Sequence, residues 1–253
     1  MTTTHDLSAA RAVATLNTED ERARLEAIAA ESWYGKGASA ASVRYSGQVF
    51  ARHWRGPRGL ELGPAEGIMT ELLAKSFGDL TIVEGSERFV LDLRQRFPHA
   101  TVIHSLFEDF HPEGPGFDTI VLGHVLEHVD DPRALLARAR EWLSPSGVLC
   151  AAVPNARSLH RQAAVLMGLL SEEHALNATD LHHGHRRVYD PESFRHDFLA
   201  AGLRIRVFGG YWLKPLSNAQ IDAQWTAEML DAYMQVGERY PDIAAEIYVI
   251  AGR

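Results

Sequence analysis

The stretch FDTIVLGHVLEHVDDP, residues 117–132, joins a strand to the start of a helix. Apolar residues dominate between Asp118 and Gly123, which is typical of a strand buried on both faces of a parallel sheet. The helix that follows, Pro132–Leu143, carries one apolar stripe formed by Leu135, Leu136, Ala139 and Leu143. A buried strand that leads into such an amphipathic helix predicts a sheet covered by helices.

The same alternation extends in both directions from this stretch. Upstream, we predict strands at Arg58–Gly63, Leu80–Gly85 and Thr101–Ser105, with helices at Gly67–Phe77 and Glu87–Phe97. Downstream, we predict strands at Gly147–Val153, Leu203–Phe208 and Ala245–Ala251, and a helix at Pro191–Ala201. The last strand follows its predecessor without a full helical crossover, which favours antiparallel insertion. The predicted fold class is α/β, with a Rossmann-like sheet of seven strands and helices on both faces.

Two segments interrupt the alternation, and a third precedes it. Residues 155–190, with an amphipathic stretch at Ser158–Leu170, are predicted to form a cap, and residues 215–240 a second insertion. We therefore predict one α/β domain at 58–253 and an N-terminal helical lid at 1–57.

The lid itself has two kinds of composition. Residues 6–31 are rich in Ala, Glu and Arg, which predicts one or two helices. Residues 33–47 are rich in Gly and Ser and predict a loop, followed by a short helix at Val49–Trp54.

Composition excludes several classes of protein. The formal net charge of −8 over 253 residues disfavours nucleic acid as a partner, because phosphate binding needs a basic surface. We find no apolar stretch near the roughly 18 residues of a membrane span, and no secretory signal, so a cytoplasmic enzyme that does not bind membranes is expected. The single cysteine, Cys150, lies in an apolar run and is predicted to be a buried strand residue.

The turn after the first strand is the first candidate ligand site. It reads ELGPAEG at 61–67, where Gly63 and Gly67 allow the backbone to approach a ligand closely. Ala65 stands where such turns usually carry another glycine. Glu84 ends the second strand about 20 residues later, a position from which a carboxylate accepts hydrogen bonds from ribose hydroxyls.

A third candidate follows the third strand. Leu106 and Phe107 offer an apolar slot for an adenine, and Glu108 or a backbone group offers a polar contact for its amine.

Together these segments resemble the class I S-adenosylmethionine-dependent methyltransferases, in the branch whose fourth strand reads FDxIxxxxVLEHVxDP. The resemblance covers residues 58–153, and the segment 187–253 is consistent with it. It implies S-adenosyl-L-methionine as cofactor, S-adenosyl-L-homocysteine as product and a small-molecule acceptor. It further implies that the cofactor-binding residues are Tyr34, Tyr45, Glu61, Gly63, Ala65, Gly67, Glu84, Gly85, Ser86, Ser105, Leu106, Phe107, Glu108, Gly123 and His124. In that reading, Glu84 holds the ribose, His124 lies near the sulfonium, and the two tyrosines close over the carboxylate end.

Histidines are the candidate general bases for the acceptor. The candidates are His128, His182, His183 and His185, and His160 is a further source. For His128, capping of the next helix is the competing role. For the cluster at 182–185, acceptor binding, support of the cap and metal binding stay open. Tyr211, Trp212 and Lys214 form either a pocket wall or a hydrophobic seam.

The predicted function is methyl transfer to an O or N atom of a small metabolite, with natural-product biosynthesis as the expected setting. Its alternatives are a non-catalytic cofactor-binding regulator, a nicotinamide-dependent oxidoreductase and a zinc hydrolase using His124, Glu127 and His128. The hydrolase motif needs a long helix, whereas here a strand runs straight into it. No metal site is predicted, and the oligomeric state is left open.

Overall fold

The seven strands of this computed structural model form one sheet in the order β3-β2-β1-β4-β5-β7-β6. The structure describes residues 18–32 and 35–253. The strands are β1 Arg58–Leu62, β2 Asp79–Glu84, β3 Thr101–His104, β4 Phe117–Gly123, β5 Leu143–Pro154, β6 Arg204–Tyr211 and β7 Glu246–Gly252. Only β7 runs antiparallel, between β5 and β6. The predicted fold class and the antiparallel last strand are confirmed.

Helices cover both faces of the sheet. They are α1 Thr18–Ala30, α2 Gly37–Ala51, α3 Thr70–Ser76, α4 Glu87–Arg96, α5 Pro132–Trp142, α6 Leu159–Leu166, α7 Ala178–His182, α8 Pro191–Ala200, α9 Asn218–Gln224 and α10 Ala227–Gly237. On one face, Leu136 of α5 and Phe194 of α8 lie in a single apolar cluster with β1 and β4. On the other, Phe50 of α2 and Leu93 of α4 lie in a second cluster. The sheet is therefore buried on both sides, as its apolar strands require.

Helix α5 shows how the sequence sets one of these elements. Pro132 occupies its first turn, where the missing N–H costs nothing. The side chain of Asp131 accepts a hydrogen bond from the backbone N–H of Ala134 at 3.0 Å and caps the helix. The predicted apolar stripe is buried against the sheet.

The segment predicted as a loop at 33–47 is largely helical, so that prediction was wrong. Helix α2 begins at Gly37 and ends at Ala51, before the predicted end at Trp54. Its small residues allow close packing, since a Cβ on Gly47 would lie 3.0 Å from Leu72. Its first turn is capped from far along the chain, because the backbone N–H of Ala38 donates to the carboxylate of Asp222 at 2.8 Å. Local composition cannot reveal a cap from another segment.

Asp222→Ala is expected to lower the free energy of unfolding by about 1 kcal/mol, because the first turn of α2 loses its cap. Urea unfolding followed by circular dichroism measures the change. Asp222→Asn keeps an acceptor oxygen and should recover most of the loss. Equal stability of the alanine variant and the parent would contradict the capping role.

Several predicted boundaries shift by a few residues. Helix α3 begins at Thr70 rather than Gly67, because Ala65 and Gly67 have left-handed φ angles of 47° and 70° and turn the chain first. Strand β6 continues to Tyr211, beyond the predicted end at Phe208, and only Leu159–Leu166 of the amphipathic stretch is helical. None of the helices within 18–32 and 35–253 has the length and apolarity to cross a membrane.

Candidate active site

A cavity of about 350 Å³ lies at the carboxyl ends of β1, β2 and β4, where open α/β sheets bind ligands. Its size falls in the range of small-molecule sites. Eleven predicted cofactor-binding residues line it: Gly63, Ala65, Glu84, Gly85, Ser86, Ser105, Leu106, Phe107, Glu108, Gly123 and His124. They come from four separate loops, which meet because parallel strands end at the same edge.

The turn after β1 has the conformation that its glycines predict. Gly63 has a φ of 62°, and a Cβ there would lie 3.2 Å from both Phe107 and Val125. Ala65 adopts a φ of 47°, a region that residues with a Cβ seldom occupy. Its backbone N–H donates to Glu84 at 3.2 Å. The alanine therefore keeps a glycine-like turn, which is fastened to the end of β2.

Glu84 is a buried carboxylate, 6% exposed, on the wall of the cavity. One oxygen accepts the backbone N–H of Ser86 at 2.8 Å, and the other accepts that of Ala65. Burial raises the pKa of Glu84, while these backbone donors act to lower it. Each carboxylate oxygen has a further lone pair, so the group can also accept hydrogen bonds from a ribose.

Three predicted cofactor residues lie outside the described lining of the cavity. Glu61 is buried and accepts a hydrogen bond from the Thr70 hydroxyl at 2.6 Å, and burial raises its pKa to about 8. Gly67 makes room for Leu93 of α4, which would lie 2.8 Å from a Cβ. Glu61 thus links β1 to the start of α3, and Gly67 allows α4 to pack against the turn.

The expectation that Tyr45 covers the cofactor does not agree with its position. Its hydroxyl donates to Glu238, and its ring lies 5.5 Å from that of Tyr211, so it joins α2 to the end of α10. The position of Tyr45 was not predicted correctly, because the segment 33–47 was expected to be a loop and Tyr45 lies in helix α2. Tyr34 lies outside the described residues.

Helix α1 closes the cavity from above, and its residues were not predicted as part of the site. Leu25 and Ile28, three positions apart on the helix, both line the cavity. A Cβ on Gly85 would lie 2.5 Å from Leu25, so this glycine allows the helix to approach β2. The spacing of two apolar residues is the only signal in the sequence that could have indicated their role.

Charged side chains tie α1 to the cap. Arg24 donates to the backbone oxygens of Gly184 at 3.1 Å and His128 at 3.2 Å. Arg186 lies 2.8 Å from Glu21 of the helix and 2.6 Å from Asp130 after β4. These partly buried contacts hold the helix over the cavity.

Arg24→Met is expected to weaken binding of S-adenosylhomocysteine about tenfold, mainly through faster release, because the lid loses two charge-assisted hydrogen bonds. Stopped-flow displacement measures the release rate. The control is Arg22→Met on the same helix, whose side chain is 53% exposed and 4.0 Å from Asp109. Identical release rates in the two variants would contradict a latching role for Arg24.

Two of the four histidines predicted as bases line the cavity, and two do not. His128 and His183 line the cavity, whereas His182 and His185 are not among its described lining residues. Burial lowers the pKa of His128 to about 3 and that of His183 to about 4. Both rings are neutral at pH 7 but weakly basic, which is unfavourable for general-base catalysis.

His124 occupies an unusual position on the cavity floor. It has a φ of 59°, and its backbone N–H donates to Ala152 at 2.9 Å. Its Nε2 lies 3.2 Å from the Tyr211 hydroxyl, and its Nδ1 lies 3.6 Å from Glu127 and 3.8 Å from Glu246. Burial opposes the charged ring, but the two carboxylates raise the pKa of His124.

Of the two roles predicted for Tyr211, Trp212 and Lys214, the structure favours the hydrophobic seam. None of the three is among the described lining residues of the cavity. Tyr211 and Trp212 are buried in the apolar cluster, and the Lys214 ammonium lies 4.8 Å from the centre of the Trp212 ring. Burial lowers the pKa of Lys214 to about 8.

The zinc-hydrolase alternative does not agree with the structure. Residues 124–131 form turns rather than the long helix that the zinc-hydrolase motif needs.

A family described as "Methyltransferase domain" matches residues 38–206, well over half of the chain. The chain belongs to this methyltransferase family. The family match and the seven-stranded sheet confirm the class I S-adenosylmethionine-dependent methyltransferase predicted from the sequence.

The chain is also similar to two curated methyltransferases, at 30% and 25% sequence identity. The chain is 30% identical over 174 residues to a trans-aconitate 2-methyltransferase of Variovorax paradoxus, covering 66% of this chain and 66% of that one. It is 25% identical over 169 residues to a ubiquinone biosynthesis O-methyltransferase of Azorhizobium caulinodans, covering 58% and 66%. The matches thus span just under two thirds of each relative.

Among solved structures, the fold is similar to that of the N-methyltransferase NodS from Bradyrhizobium japonicum WM9 in complex with S-adenosyl-L-homocysteine. The two chains share 17% identity, with a TM-score of 0.58 over 93% of this chain and 98% of that one.

The geometry of the cavity fits S-adenosylmethionine independently of these similarities. Gly63 lacks the side chain that would crowd Phe107, and Glu84 directs a buried carboxylate to the cavity wall. Leu106 and Phe107 supply apolar surface to the same cavity.

Proposed function

We propose that this enzyme transfers the methyl group of S-adenosylmethionine to an O or N atom of a small molecule. The observation that carries the proposal is the covered cavity, in which α1 and the cap enclose the residues near His124. A nucleic acid or a folded protein could not reach this floor without displacing the helix. A small acceptor needs only a brief opening of the lid.

S-adenosylmethionine, when bound, supplies a methyl group already activated on a sulfonium. In the proposal, Glu84 holds the ribose, Leu106 and Phe107 border the adenine, and the turn at Gly63 approaches the methionine part. The protein then has to orient the acceptor and exclude water. Helix α1 serves the second purpose through Leu25 and Ile28, which cover the cavity.

In the proposal, the acceptor lies among apolar and polar groups that line the same cavity. Ile28 and Val43 provide apolar surface, and the Ser32 hydroxyl donates to Glu66 at 2.5 Å. His183 lines the cavity from the cap. A general-base role stays a prediction for His128, His182, His183 and His185, of which His128 and His183 line the cavity.

The name of one relative supports oxygen as the atom methylated, since that protein is called a ubiquinone biosynthesis O-methyltransferase. The other is named for trans-aconitate, which supports a small-molecule acceptor. Natural-product biosynthesis as the setting rests on family analogy alone.

The test is transfer of radiolabelled methyl groups from S-adenosylmethionine to a panel of small carboxylic acids, phenols and amines, with bulk RNA and mixed protein as competing acceptors. Label in a small-molecule fraction, at a rate that depends on Glu84, would support the proposal. Label only in protein or RNA would overturn it. Tight cofactor binding with no transfer to any acceptor would favour the non-catalytic alternative.

A further inference from the structure

Beside the floor of the cavity, the fold brings two neighbouring residues that follow β4, Glu127 and His128, next to His185 of the cap. One ligand atom each from Glu127, His128 and His185 lies within 4.8 Å of the others. The rings of the two histidines meet edge to face with centroids 4.7 Å apart. Two atoms bound to one zinc ion at about 2.1 Å lie at most about 4.2 Å apart, so small side-chain movements would complete the set.

Glu127 provides independent evidence that something binds here. Its residue is 1% exposed, and neither carboxylate oxygen has a hydrogen-bond partner within the part of the chain that the structure describes. Nδ1 of His124, at 3.6 Å, is beyond hydrogen-bonding distance and is an ion-pair partner only when that ring is protonated. Burying a carboxylate without partners is costly, so such groups in native proteins are paired or bind a metal. Glu246, which lies 3.8 Å from His124, adds a third carboxylate oxygen without a hydrogen-bond partner within the described residues.

An acidic residue lies behind the second histidine. Nδ1 of His185 is 3.4 Å from an oxygen of Asp180, an ion-pair distance without a hydrogen bond in this structure, and Nε2 is the other possible ligand atom. Asp180 is itself held by Arg161 at 3.1 Å and by the backbone N–H of Asn177 at 2.9 Å. A carboxylate behind a histidine is the usual arrangement around protein-bound metals, because it fixes the ring orientation.

We propose that Glu127, His128 and His185 bind a divalent transition-metal ion of the zinc type. Two imidazoles and one carboxylate are a common ligand set for zinc with an open position, and Mg²⁺ prefers oxygen ligands alone. This site differs from the hydrolase motif, because the third ligand comes from the cap rather than from His124. No metal site is predicted from the sequence, although metal binding is one of the roles left open there for the cluster at 182–185, to which His185 belongs.

The position of the site suggests a use for the ion. His128 lines the cavity, so the open coordination position lies beside the acceptor end. There the ion would hold an oxygen of the acceptor and favour its deprotonated form. This use rests on the proposed function, whereas metal binding itself does not.

The experiment uses untagged full-length protein stripped with a chelator and titrated with Zn²⁺ in a calorimeter, without cofactor or acceptor. We expect one ion per chain. Glu127→Gln and His185→Gln should each weaken binding at least about 100-fold, the upper end of the effect of losing an outer partner. His196→Gln removes an exposed histidine of α8 and is the matched control. Circular dichroism establishes that each variant is folded.

A second measurement does not depend on any variant. Co²⁺ added to the stripped wild-type protein should give visible bands of a nitrogen- and oxygen-ligated ion, and Zn²⁺ should abolish them. Aqueous-like Co²⁺ spectra, or equal Zn²⁺ affinity in all variants, would overturn the metal site. Stoichiometric metal binding without methyl transfer would support the metal site and count against the proposed function. Methyl transfer without metal binding would support the proposed function and overturn the metal site.

Discussion

Glu84→Gln is expected to lower the affinity for S-adenosylhomocysteine at least about 100-fold. Hydrogen bonds to a charged group contribute about 1.5–3 kcal/mol each, and the ribose has two hydroxyls, so about 3 kcal/mol or more is lost. The amide has a second cost. Both carboxylate oxygens accept a backbone N–H, from Ser86 and Ala65, but an amide has one acceptor oxygen and leaves one buried donor unpaired.

Calorimetric titration with S-adenosylhomocysteine measures the effect, after removal of any co-purified ligand. Glu113→Gln makes the same chemical change at an exposed loop position and should leave affinity unchanged. Thermal unfolding separates loss of binding from loss of fold. Wild-type affinity in Glu84→Gln would mean that the ribose is held elsewhere, and the assignment of the whole cavity would fail with it.

The parts of the fold that sequence predicts well are those that local signals determine. The apolar strand 117–123 and the capped helix after it need only neighbouring residues to be recognised. The turn at Gly63 was predictable for the same reason, even with Ala65 in a glycine-like conformation. Once the strands are parallel, their carboxyl ends must share one edge, and the predicted cofactor residues come together as a consequence.

The failures share a different cause. Helix α2 has the composition of a loop, and its cap, Asp222, lies in another segment. Tyr45 was expected to cover the cofactor, but its hydroxyl donates to Glu238, which is 193 residues away in the sequence. The cluster of Glu127, His128 and His185 depends on how the cap folds back over β4. Local patterns carry no information about such long-range contacts.

Gly237→Ala is expected to lower the free energy of unfolding by about 3 kcal/mol, the upper end of the usual cost of overpacking. Helix α10 ends against the chain after β6, where Trp212 donates its backbone N–H to Met234 at 3.1 Å. A Cβ on Gly237 would lie 2.1 Å from the Trp212 nitrogen and 2.5 Å from the Tyr211 carbonyl carbon. Because both are backbone atoms, no side-chain rotation can relieve the contact.

Gly78→Ala is the matched control, since a Cβ there would meet nothing within 4 Å, and urea unfolding compares the two variants. The change at Gly237 should also reach the active site. The Tyr211 hydroxyl lies 3.2 Å from His124, so displacing this chain moves a neighbour of the cavity floor. We therefore expect weaker S-adenosylhomocysteine binding in the folded fraction of Gly237→Ala. Unfolding free energies equal in both variants would mean that α10 does not pack against β6 in solution, and the second insertion would then not support the site.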